Sequence, residues 1–214
     1  MGRHLLILLF MMINATVSQA QEAVTFDGFG NNFADWTVKE FKGRADYQVK
    51  TSPRPMITLS TEGSNFMLIR ELKDFDLQKY PVLTFEWMVM KNPLNGDLRK
   101  KETDDQAAGL YVTLPFFPEM VNFNTIGYVW DPTAPPGVYP SLWRTNIKYV
   151  VLRSGPAGLG QWYREQRNIV EDFKTIWGIT ITQKRKVVIS LAANSDGTRS
   201  SSLAAFESMG FMKK

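Results

Sequence analysis

Four carboxylates stand out by the company they keep. Asp104 and Asp105 are adjacent, just ahead of an alternating apolar stretch, and Glu165 and Asp172 are interleaved with arginines in QWYREQRNIVEDF (161–173). Two carboxyl groups held about 5–9.5 Å apart supply the acid, base or nucleophile of glycoside cleavage. In that reading Asp105 and Glu165 are the catalytic pair of a glycoside hydrolase or lyase. The same residues have a purely structural use, with Asp104 and Asp105 capping a strand and pairing with Arg164 or Arg167.

Aromatic residues offer a second chemistry. Trp130, Tyr139, Trp143, Trp162 and Tyr163 all fall at strand ends or in Pro/Gly-rich connections. A ring on a loop presents a flat apolar face with a polar edge, suited to a sugar ring, and neighbouring Arg, Glu and Asn side chains can orient such a ligand. The platform assembled from these residues is Trp130, Trp162, Glu165 and Arg167, with Asp104 and Asp105 close by. The alternative is that the rings plug the ends of the fold as a satellite core. The leading functional reading is therefore a non-catalytic module that binds a glycan or another cell-envelope ligand. A carboxylate-based hydrolase or lyase is the alternative, and a protein–protein interaction module of the envelope, recognisable by a flat apolar patch, is the third.

Absences narrow the field. The chain has no cysteine, and its one histidine is His4. Beyond the first residues this removes the usual zinc ligand sets, thiol nucleophiles and the Ser-His-Asp arrangement. The formal charge of +4 is spread along the chain. The densest basic run, Arg99-Lys100-Lys101, abuts Glu102, Asp104 and Asp105, so nucleic acid is not an expected partner. Met88 and Met90 share a strand face and have the softness that suits copper(I), but packing explains them without a metal.

The N-terminus has the form of a secretory signal peptide. Arg3 precedes the apolar run Leu5 to Ile13, and Ser18-Gln19-Ala20 supplies a small-residue cleavage site. Cleavage near Ala20 leaves residues 21–214 as a single periplasmic or secreted domain. No segment reaches the ~20 apolar residues of a membrane-spanning helix.

Period-two alternation marks the elements that must position these side chains. In VLTFEWMVM (82–90), Leu83, Phe85, Trp87 and Val89 share a face. The same holds for Leu110, Val112 and Leu114 in GLYVTL, for Ile147, Tyr149 and Val151 in NIKYVVL, and for Val187, Ile189 and Leu191 in KVVISLA. Many short alternating strands broken by Gly, Pro, Asn and Asp predict an all-β antiparallel sandwich. One helix is expected over 169–177. Asn168 and Glu171 form a capping box, Ile169, Phe173, Ile176 and Trp177 share a face, and Gly178 ends it. The glycines before it, Gly155, Gly158 and Gly160, lack the Lys-Ser/Thr of a phosphate loop and read as turns.

These residues carry a resemblance. YPVLTFEWMV (80–89), DDQAAGLYV (104–112), TIGYVW (125–130), VVLRSG (150–155) and QWYREQRNIVEDF (161–173) together resemble an uncharacterised exported bacterial family, domain-of-unknown-function family 3047. The resemblance spans roughly residues 25 to 212. It implies a jelly-roll β-sandwich like the galactose-binding and carbohydrate-binding modules, with no assigned activity. The family's Asp-rich loop after the penultimate strand is replaced here by LAANSDGT (191–198), where Ala193 and Ser195 stand in place of carboxylates. In such jelly rolls the first and last strands lie side by side and often hold a structural calcium, for which Asp27 and Glu207 are the available ligands.

Overall fold

The computed structural model describes residues 22–26, 33–119 and 121–214, so the expected signal peptide and Asp27 lie outside the described residues. Among the described residues thirteen strands follow one another: β1 (Ala23–Thr25), β2 (Thr37–Lys42), β3 (Asp46–Lys50), β4 (Met56–Glu62), β5 (Asn65–Phe75), β6 (Val82–Lys91), β7 (Ala108–Phe116), β8 (Asn122–Asp131), β9 (Gly137–Pro140), β10 (Ile147–Ser154), β11 (Tyr163–Asn168), β12 (Arg185–Asn194) and β13 (Ser201–Met212). Helix α1 (Ile169–Trp177) sits between β11 and β12, and a single 3-10 turn (Lys101–Thr103) interrupts the connection from β6 to β7. They form two sheets. One runs β11-β6-β13-β4-β3, with β1 added along β13, and the other runs β2-β5-β12-β7-β8-β10-β9.

The alternation decides which faces meet. Leu83, Phe85, Trp87 and Val89 of β6 are fully buried, and so are Leu110, Val112 and Leu114 of β7 and Val187, Ile189 and Leu191 of β12. They join Ile57, Leu59, Phe66, Leu68, Ile126, Tyr128, Trp130, Phe206 and Phe211 in one core between the sheets. Each large apolar side chain enclosed this way contributes about 1.5–3 kcal/mol. This is the β-sandwich that the alternation predicts.

Two details depart from a plain antiparallel sandwich. Strand β10 runs parallel to β8, because the chain leaving β8 first turns out to form β9 at the sheet edge and returns in the same direction. Side-chain alternation carries no information on strand direction. Secondly, Ile147, Tyr149 and Val151 do share a face, but not the one against the other sheet. They belong to a smaller apolar cluster with Leu98, Tyr111, Val129, Ala134 and Ala192 on the outer side of the seven-stranded sheet, roofed by the connections that carry Leu98 and Ala134. The Tyr111 ring lies so close across Gly127 that a Cβ there would stand 2.6 Å from it.

Helix α1 follows its signals. The Asn168 side chain accepts from the Glu171 N–H at 3.2 Å, and Gly178 turns the chain at φ 69°. Ile169 and Phe173 are buried, and Ile176 and Trp177 pack against the core. The return half of the capping box takes another path, since the Glu171 carboxylate meets Lys214 at 3.4 Å.

Candidate functional site

The six expected ligand-binding residues fall into three settings. Trp130 is fully buried, 6.0 Å from the Trp87 ring and 5.6 Å from the Tyr163 ring. Its indole N–H donates to the Gly155 carbonyl at 3.0 Å, so the glycine turn after β10 closes over it. Glu165 and Arg167 lie on β11, an edge strand, facing inward beside Phe85 and Leu83 of β6. An inward charge at a sandwich edge must be met, and both are. Glu165 Oε1 accepts from Arg153 Nε at 2.6 Å and from the Trp87 indole at 3.0 Å. Arg167 makes a two-pronged pair with Asp172, at 2.9 and 2.5 Å, while the Tyr128 hydroxyl donates to the same carboxylate at 2.6 Å. These contacts tie the edge of one sheet to the other.

Asp104 and Asp105 point to different tasks. Asp105, buried just before β7, accepts from the backbone N–H groups of Gly197 and Thr198 at 3.2 and 2.6 Å, and so pins the β12–β13 turn. Asp104 lies under the outer cluster. Gln106 donates to it at 2.6 Å, and the Tyr149 hydroxyl approaches at 3.5 Å. Burial pushes its carboxyl up to about 6, with the Asp131 and Asp105 charges adding to the rise and the Gln106 hydrogen bond opposing it. Burial likewise holds the Tyr149 and Tyr111 hydroxyls above their ordinary range, so neither serves as a base near neutral pH.

Trp162 is half-buried. The Arg54 guanidinium sits 5.5 Å from its ring centre and reaches Glu86 at 3.0 Å and Glu207 as an ion pair. Glu207 is fully buried opposite Glu86 on the next strand. Burial raises its carboxyl, and the Glu86 carboxyl against it raises it further, while Arg54 pulls the other way. Of the calcium ligands named from the sequence, Glu207 thus faces Glu86 and Arg54, and Asp27 lies outside the described residues. Among the described residues no three His, Cys, Asp or Glu side chains gather as a metal shell.

An exposed aromatic surface lies elsewhere. Trp143 is 61% exposed and Val121 69%. Together with Phe116 and Phe123 they line an open groove of about 640 Å3 between the β7–β8 turn and the segment leading into β10. Its polar lining residues are Asn122, Asn124, Arg144, Thr145 and Asn146, of which Asn122 also donates its amide to the Phe117 carbonyl at 3.2 Å. Both walls are fixed by backbone hydrogen bonds. Val121 N–H and Asn122 N–H donate to the Pro118 carbonyl at 3.2 and 3.1 Å, Thr125 N–H to Asn146 at 2.9 Å, and Ile147 N–H to Arg144 at 3.3 Å. The Ser141 hydroxyl accepts from the Trp143 N–H at 3.3 Å. Aromatic faces with convergent amides on a pre-ordered frame are the equipment of a ligand site. Trp143 is one of the five loop aromatics visible in the sequence. Nothing in its local pattern separates a wet ring from a plugged one, and only packing distinguishes it from Trp130.

With this geometry in view, the family can be assigned. Residues 34–209 match the family described as protein of unknown function (DUF3047). The chain belongs to that family. No curated protein matches the chain. Among solved structures it is similar to the family 11 carbohydrate-binding module of the cellulosomal cellulase Lic26A-Cel5E of Clostridium thermocellum, with 10% identity, 92% of this chain and 97% of that one covered, and a TM-score of 0.50. The same module in complex with a β-1,3-1,4-mixed-linked tetrasaccharide gives a TM-score of 0.48 at 10% identity, over 91% of this chain and 98% of that one. The xyloglucanase domain of a type three effector from Sinorhizobium fredii gives 0.42 at 8% identity, over 91% and 98%. At 10% identity the first of these likenesses is one of fold: this DUF3047 chain has a sandwich similar to that of the family 11 carbohydrate-binding module.

Proposed function

We propose that this DUF3047 protein is a glycan-binding module and that its ligand lies in the groove at Trp143. One observation carries the reading: a 61%-exposed tryptophan, fixed on a hydrogen-bonded segment, overlooks three asparagine amides and an arginine in an open groove. An exposed indole offers a flat apolar face that a sugar ring can cover while its hydroxyls meet the neighbouring amides. The fold it shares with carbohydrate-binding modules supports the same reading. The carboxylates of the hydrolytic alternative, Asp105 and Glu165, are each engaged by donors of the fold itself.

A glycan array or affinity electrophoresis of the chain over a panel of polysaccharides tests this. Binding to at least one is expected, and Trp143→Ala weakens it about tenfold, the equivalent of ~1.4 kcal/mol of lost ring contact. Failure of the wild type to bind any polysaccharide contradicts the proposal.

Export belongs to the same proposal. Among the described residues no helix is long and apolar enough to cross a membrane, and the sequence of residues 1–20 has the pattern of a cleaved leader. N-terminal sequencing of the protein isolated from its host is expected to start at Gln21. A start at Met1 contradicts export through this leader.

A further inference from the structure

The charges around the groove say what kind of glycan fits. Arg144 is part of the lining, and the Lys101 ammonium stands 4.4 Å from the Trp143 ring centre. Every side chain of the lining is apolar, amide, hydroxyl or guanidinium, and none is a carboxylate. The nearest acid in sequence on the β7–β8 turn, Glu119, is occupied by Lys186 at 3.4 Å. Neither Arg144 nor Lys101 makes an ion pair with any carboxylate among the described residues, in contrast to Arg99 and Lys100, which both meet Asp97. Two cations without ion-pair partners therefore flank the exposed ring.

Resting on the glycan-binding reading of this groove, we propose that its ligand is an acidic polysaccharide, with sugar carboxylates meeting Arg144 and Lys101 while a ring of the chain lies on Trp143. A guanidinium presents a planar fork of N–H donors matched to a carboxylate, and lysine supplies a mobile point charge beside it. A neutral glycan offers these cations only hydroxyl, ring and glycosidic oxygens, which are weaker acceptors than a carboxylate. A uronate polymer repeats its charge along the chain, so one bound segment can serve both cations while the amides of Asn122, Asn124 and Asn146 take hydroxyls. Because the cations are exposed, their attraction is screened by salt.

The test uses the full chain and one polymer in two charge states: polygalacturonate and its methyl ester, which keeps the sugar backbone and removes the charge. Affinity electrophoresis or calorimetry at low and high salt reads both. The acid form is expected to bind at least tenfold tighter than the ester at low salt, with the preference shrinking at 0.5 M salt over a Debye length of only a few ångströms. Arg144→Gln and Lys101→Gln each reduce acid-form affinity about three- to fivefold, the range of an exposed ion pair, and reduce affinity for the ester by less. Circular dichroism confirms that both variants remain folded, and either variant alone suffices. Equal, salt-independent binding of acid and ester overturns the acidic-ligand inference and leaves glycan binding standing. Binding of neutral polysaccharides but of neither polygalacturonate form does the same. Binding of no polysaccharide at all overturns both.

Discussion

Asp104 is held in a setting that favours its neutral form. It is buried, its neighbours Asp105 and Asp131 carry like charge, and its one close donor is an amide rather than a cation. The linkage runs in a fixed direction. A folded-state value near 6, above the ordinary 3.8, means that the folded chain binds more protons than the unfolded chain between those values. Stability from this group is complete below about 3.8 and is lost as pH rises through 6. Asp104→Asn removes that loss, so the variant is expected to be more stable than the wild type at pH 7 by about 1–3 kcal/mol and equal to it near pH 4, as measured by urea unfolding at both pH values. A variant less stable at pH 7 than at pH 4 relative to wild type contradicts the account. The same residue shows what a sequence tells at this scale. The adjacency of Asp104 and Asp105 marks both as unusual, but one holds a turn by backbone amides and the other sits under a tyrosine. That difference arises from which loop covers each, and is not written in the pair itself. Trp130 and Trp143 repeat the lesson: two tryptophans at strand ends, one sealed by Gly155 and one left in water.

At the scale of elements the sequence is most readable where burial has a period. The core faces of β6, β7 and β12 follow from alternation, and α1 with both caps follows from Asn168, its apolar face and Gly178. Alternation fails to tell inner from outer face for β10, because a second apolar cluster covers the outer side, and it does not show that β10 runs parallel to β8. It also gives no hint of the Glu86–Glu207 pair, since cross-strand register becomes visible only when β6 and β13 are paired. Like charges placed directly opposite destabilise a sheet, and Arg54 from the β3–β4 connection offsets this by meeting both. Arg54→Ala is expected to cost about 1–3 kcal/mol at pH 7; the exposure of Arg54 keeps this below the ~3–5 kcal/mol of a fully buried pair. Burial raises the Glu207 carboxyl, so it neutralises early as pH falls and the penalty shrinks towards pH 4. Thermal unfolding of both proteins across that range reads the effect, and a penalty that grows on acidification contradicts it.

Over the whole molecule, the two ends of the β7–β8 hairpin do different work. At the end where β8 finishes, Asp105 and Trp130 are met by partners of the fold itself: backbone amides of the β12–β13 turn and the Gly155 carbonyl. At the other end, where the hairpin turns, Trp143 and Arg144 are exposed beside the groove's three asparagines. Residues that are conspicuous in a sequence because they are charged or aromatic are drawn first to closing the ends of a sandwich, where unpaired polar groups are costly. The proposed site is what remains open after that closure, and so only the assembled sheets reveal it. The most direct measurement is therefore the affinity of wild type, Trp143→Ala and Trp162→Ala for a polysaccharide that the wild type binds. Loss in Trp143→Ala with affinity retained in Trp162→Ala is the predicted result; retention in Trp143→Ala with loss in Trp162→Ala would place the ligand at the other end and contradict the account.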